Sequence, residues 1–90
     1  MVILEIPSAL RQFTGTKSKV TLEAKTLGEA IELLVAQHPE IKARLLGPAG
    51  QLHRYIGAFV DGEDARFSQG LGTPLKAKSI VSLLVAAAGG

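Results

Sequence analysis

The chain has 90 residues, 47% of them apolar, no cysteine, and ten Lys and Arg against eight Asp and Glu for a net charge of +2. That length supports one modest core, the missing thiols exclude disulfides, thiolate metal ligands and a cysteine nucleophile, and the scattered charges lack the basic block of a nucleic-acid tail. No apolar run approaches the roughly 20 residues of a membrane span, and "MVILEIPSAL" reads as a strand and not an export signal, so the expectation is a cytoplasmic protein with no nucleic-acid or membrane partner.

Residues 2 to 6 alternate Val2, Leu4 and Ile6 against Ile3 and Glu5, which predicts a strand with Glu5 toward water. Pro7 ends its ladder, "SALRQFTGTK" reads as a turn or short helical loop with Gly15 near its tip, and "SKVTLEA" alternates again through Val20 and Leu22, completing a hairpin. In "TLGEAIELLVAQHPE", Leu27, Ile31, Leu34 and Val35 keep helical spacing behind Thr26, and Glu29 completes a capping box. The Thr26 hydroxyl then accepts from the Glu29 amide while the Glu29 carboxylate accepts from the Thr26 amide. Pro39 opens a second, short helix with Ile41 and Leu45 inward, stopped at Gly47-Pro48.

"RYIGAFVDGEDARF" places Ile56, Ala58 and Val60 on one face and Phe59 on the other, then turns at Asp61-Gly62, a pair suited to a type I′ hairpin. "SQGLGTPLKAK" reads as an irregular connection. In "SIVSLLV" a strand, with Val81 and Leu83 on one side and Ser82 and Leu84 on the other, competes with a helix running on to Gly89. The β-branched Ile80, Val81 and Val85 favour the strand. This order predicts an α+β domain: a mixed sheet of about five strands with one long and one short helix on one face. Its outer face carries Ile3, Phe59 and Leu84, which are either scattered surface hydrophobes or a patch that docks a partner.

Chemistry is sparse. His38 ends the long helix, where a charge–dipole contact accounts for it, and His53 stands alone. Glu63 and Asp64 are adjacent on a strand and so point to opposite faces, which makes them poor paired acids or metal ligands. Gly70 and Gly72 lack the Gly-Lys-Ser/Thr ending of a phosphate-binding loop. Ser8, Ser68, Ser79 and Ser82 have no strong base nearby in sequence and no nucleophile elbow. No catalytic residue and no metal site is expected.

The ending "VAAAGG" is the remaining feature. With glycine near 7% of residues, two in succession at a terminus arise in about 0.5% of chains. Lacking a Cβ, Gly89 and Gly90 can pass a constriction that any other residue would block, and Ala86, Ala87 and Ala88 lengthen the narrow section. Five extended residues reach about 17 Å, enough to carry the Gly90 carboxylate into another protein's buried site.

With that terminus, and with "IPSALRQFTG", "TLGEAIELL", "FVDGEDARF" and "TPLKAKSIVSLL", the chain resembles over nearly its whole length the ubiquitin-like β-grasp sulfur carriers, the MoaD/ThiS family. That family includes the small subunit of molybdopterin synthase and the thiamine sulfur carrier. "LHRYIGAFVDGEDARF" looks most like the branch that supplies sulfur for cysteine synthesis. The resemblance implies a β-grasp domain over 1–85 and a flexible Gly-Gly tail over 86–90. It also implies a carrier that is not an enzyme: an adenylyltransferase related to ubiquitin-activating enzymes uses MgATP to activate Gly90, sulfide or a persulfide converts it to a thiocarboxylate, and no cofactor is bound. The tail, through Ala87, Ala88 and Gly89, threads into partner active sites while Leu84, Phe59 and Ile3 dock. The acceptor is a synthase of the cysteine-synthase type or the molybdopterin synthase large subunit, with a metalloprotease that releases the product as a further expected partner. The same terminus suits conjugation to target lysines, and a plain binding module is a third reading. "KAKS" at Lys76 to Ser79 departs from the family's Asp-Gly-Asp type of turn, which removes the acidic groups that turn would offer a partner.

Overall fold

A computed structural model describes residues 1–86. Five strands form one sheet: β1 (Val2–Glu5), β2 (Lys19–Leu22), β3 (Ile56–Val60), β4 (Glu63–Asp64) and β5 (Ile80–Val85), in the spatial order β2-β1-β5-β3-β4. β1 and β5 run parallel at the centre, and every other pairing is antiparallel. Helix α1 (Leu27–Gln37) crosses one face, followed by a 3₁₀ turn at Pro39–Ile41 and the short helix α2 (Lys42–Leu45). The final segment is a strand, as its β-branched residues predict.

Period-two alternation decides which face each strand buries. Val2, Leu4, Val20, Leu22, Ile56, Ala58, Val60, Val81 and Leu83 are buried beneath the helices. From the helical side Leu27, Ala30, Ile31 and Leu34 meet them at helical spacing, and Ile41 and Leu45 close the core with no exposed surface. Each such leucine contributes through its removal from water, so truncating one to alanine costs about 2–5 kcal/mol.

The cap of α1 forms with one correction. Thr26 accepts from the Glu29 amide at 3.2 Å, but the Glu29 carboxylate accepts from the Lys25 amide at 3.1 Å and not from that of Thr26. The chain ahead of the helix pairs with residues 73–75, through Leu27 N to Thr73 O and Leu75 N to Lys25 O. That pairing fixes the direction of approach and brings the earlier amide into reach. Gly28 is needed for the same junction, because a Cβ there would stand 3.1 Å from the Leu71 carbonyl oxygen.

Ser8–Phe13 is a 3₁₀ segment, in keeping with the short helical loop read there. Ala65–Phe67, read as part of the second hairpin, and Gly70–Gly72, in the irregular connection, are also 3₁₀ turns, too short for a periodic signal to reveal them. Asp61 and Gly62 have φ of 50° and 88°, as a type I′ turn requires, and the strand that follows has only two residues.

Candidate functional site

β5 lies between β1 and β3 and ends at Val85, and the surface around its last residues is the candidate site. On the outer face the register places Ile3 beside Ile80, Glu5 beside Ser82, Phe59 beside Ser82, and Leu84 beside Gly57. Glu5 accepts a hydrogen bond from the Ser82 hydroxyl at 2.6 Å. The Phe59 ring leans across Gly57, where a Cβ would lie 3.7 Å from the ring and 3.8 Å from the Leu84 Cβ. Phe59 and Leu84 are therefore neighbours over a glycine floor, while Ile3 belongs to a second apolar pair with Ile80. The Glu5–Ser82 bond runs between them.

Leu84 is 49% exposed, and Ile80, at 42%, joins it on this face. The sequence reading passed over Ile80, although it precedes Ser82 and Leu84 in the outward phase of the same strand. At the exit, the Ala86 amide donates to the Tyr55 carbonyl at 2.8 Å, so the backbone is still held one residue beyond β5. Tyr55 is itself half exposed and stacks on His53, ring centroids 5.0 Å apart. Ala87, Ala88, Gly89 and Gly90, the residues expected to thread and react, lie outside the described residues.

The remaining polar candidates have structural occupations. His53 Nε2 lies 3.2 Å from the Ala43 carbonyl, and His38 caps α1 through its backbone. Asp64 pairs with Arg66 at 2.8 Å and caps the turn after β4, and Ser82 is engaged by Glu5. Among the described residues no three His, Cys, Asp or Glu side chains gather as metal ligands, and no helix is long and apolar enough to cross a membrane.

The turn before β5 is organised by a residue from elsewhere. Asp61 Oδ1 accepts from the Ile80 amide at 2.9 Å and Oδ2 from the Ser79 hydroxyl at 2.8 Å, while Ser79 Oγ accepts from the Lys76 amide at 2.8 Å. The Ile80 amide first, then the Ser79 hydroxyl, hold the Asp61 carboxyl below its ordinary value, against a smaller opposing effect of burial. The "KAKS" turn is thus closed by a carboxylate, supplied from the β3–β4 turn.

A mixed sheet wrapped on one long helix, with its central strand delivering the chain's last residues, defines a ubiquitin-like β-grasp protein. The model of the ThiS family matches residues 4–90, and the chain belongs to that family. It is 41% identical over 91 residues to the sulfur carrier protein CysO of Mycobacterium tuberculosis and of Mycobacterium bovis, across 99% of this chain and 98% of theirs. CysO of Amycolatopsis orientalis, in the crystal structure of a BexX/CysO complex, superposes with a TM-score of 0.92 at 39% identity over 100% of both chains. SAMP1 of Haloferax volcanii, a small archaeal modifier protein, gives 0.80 at 26% identity over 99% of this chain and 98% of its own.

Proposed function

We propose that this chain is a sulfur carrier that acts as a co-substrate. The observation that carries this is the 41% identity to sulfur carriers over nearly the full length, in a family match that runs to Gly90. A carboxylate resists nucleophiles because of its charge and resonance. In the activating enzyme a Gly90 carboxylate oxygen attacks the α-phosphorus of MgATP and pyrophosphate leaves. Sulfide then adds to the carbonyl of the acyl adenylate and AMP departs, which leaves a thiocarboxylate. Its sulfur is a nucleophile toward an acceptor held by a second enzyme, here an aminoacrylate formed from activated serine. The sulfur bonds to the acceptor's β-carbon, a proton adds at the α-carbon, and hydrolysis of the remaining bond to the Gly90 carbonyl frees cysteine and restores the carboxylate.

Two proteins must therefore use one small body in turn: an adenylyltransferase and a sulfur-accepting synthase. The relative crystallised as a BexX/CysO complex supports the view that this fold docks a second protein. Phe59, Leu84 and Ile3 on the outer face are the docking residues in this reading, with Ala87, Ala88 and Gly89 threading the partner's channel. A protein modifier joined through Gly90 to lysines is the second reading, favoured by the likeness to SAMP1.

Intact mass spectrometry of the protein taken gently from its own cells tests this. Sulfur carriage gives a fraction with one sulfur in place of one oxygen at Gly90. Free carboxylate alongside ladders of larger conjugates gives the modifier reading, and free carboxylate alone removes both.

A further inference from the structure

We propose that a net-basic collar around the exit of β5, three cations to one carboxylate, recognises an acidic rim at the mouth of the channel that takes the tail. The inference rests on the carrier reading and adds the chemistry of the partner's surface. Arg11 and Lys19 line the groove that also holds Leu84 and Ser82. Arg44 lines a cavity on the other side with Tyr55 and Val85, its guanidinium 5.5 Å from the centre of the Phe13 ring. Within these two hollows the one acid is Glu5, which faces Lys19 across the β1–β2 ladder and keeps its charge while accepting from Ser82, so three cations stand against one carboxylate. Among the described residues none of the three cations has a carboxylate within 4.0 Å, and Glu40, four residues before Arg44, makes no ion pair with it.

The opposite pole is different. At the start of β1, Lys25 shares a hollow with Glu23 and Glu29, and before β5 Lys76 shares one with Asp61 and Glu63. The six residues of β5 separate the two poles by about 17 Å, roughly two Debye lengths at physiological salt. A partner at the exit therefore feels the collar and not the mixed charge behind it.

The collar faces protein and not the nucleotide. Gly90 is four residues beyond Ala86, and four residues extend by as much as about 14 Å. The carboxylate reacts deep in the partner while Arg11, Lys19 and Arg44 stay with the body at the rim. Cations there steer encounter and set orientation, effects that appear in the association rate and fall with salt.

The test uses the full chain with the purified adenylyltransferase of the same cells, following ATP–pyrophosphate exchange against carrier concentration at low and high salt. Lys19→Gln with Arg44→Gln neutralises the collar without touching the Arg11 hydrogen bond to the Ile6 carbonyl. Lys25→Gln with Lys78→Gln removes the same two charges from the far pole. The collar pair is expected to raise KM about 5–10-fold at low salt with kcat unchanged, a difference that shrinks toward onefold at high salt, while the far pair stays within about twofold of the parent. Equal effects from both pairs reduce the observation to net charge and overturn the inference. An unchanged KM for the collar pair overturns it while leaving sulfur carriage standing. No exchange with the parent chain removes the carrier reading, and the inference with it. Thermal melts of both variants exclude unfolding as the cause.

Discussion

At the scale of single residues, Asp61 carries the most structure per atom. Its backbone occupies the left-handed region at φ 50°, and its carboxylate closes a turn 18 residues further on. Asp61→Ala gives up two hydrogen bonds and places a Cβ-bearing residue of low αL preference there, so the unfolding free energy falls by about 1–2 kcal/mol. Urea titration at pH 7 checks it. Asp61→Asn loses less, since asparagine tolerates the backbone and keeps one acceptor. The carboxyl lies below its ordinary 3.8 when folded, so its contribution is present above that value and lost as pH falls through the lower, folded one. The parent's urea midpoint should therefore drop more steeply below pH 4 than that of Asp61→Asn. The left-handed backbone at Asp61 was legible in the sequence and the reach of its carboxylate was not. "DG" announces a turn, but a carboxylate that reaches across to "KAKS" depends on a pairing that only the folded sheet provides.

At the scale of elements, local chemistry and periodicity were readable and long-range placement was not. Thr26 marked the start of α1 because the cap is made by residues three apart. Thr26→Ala should cost about 1 kcal/mol, read as a lower melting temperature with the helix still present by circular dichroism. The alternation of β5 separated Val81 and Leu83 from Ser82 and Leu84, so Leu84→Glu should leave the melting temperature within a few degrees while weakening partner binding. A large fall in that temperature would place Leu84 in the core. Ile80 shares the outward phase of Ser82 and Leu84, so its exposure follows from the same alternation, whereas that of Tyr55, ahead of β3, depends on how the preceding loop packs. The collar escaped notice, since Arg11, Lys19 and Arg44 come from three separate segments.

At the scale of the molecule, the proposed sulfur carriage gives the folded body and the small-residue ending separate tasks. The division predicts a clean separation of phenotypes. Gly89→Val should fold with an unchanged melting curve and yet fail in ATP–pyrophosphate exchange, because a branched side chain obstructs a channel made for backbone alone. Normal exchange by that variant would remove the steric argument. The fold class and the family were visible in the sequence because hydrophobic alternation and the two terminal glycines are features of the chain itself. The outer apolar face was visible only in outline, with three of its hydrophobes named, since the polar Glu5–Ser82 divide between them depends on the strand register.

The parallel pairing of β1 with β5 has a mechanical consequence. The two strands begin at the same pole, so the first residue of β1 and the last of β5 lie at opposite ends of one ladder. A pull applied between them loads the hydrogen bonds of that ladder together, in shear, and does not peel them one at a time. Under the proposed function, a pull on the residues beyond β5 would fall on the strand that is braced on both sides, so the body would resist extraction.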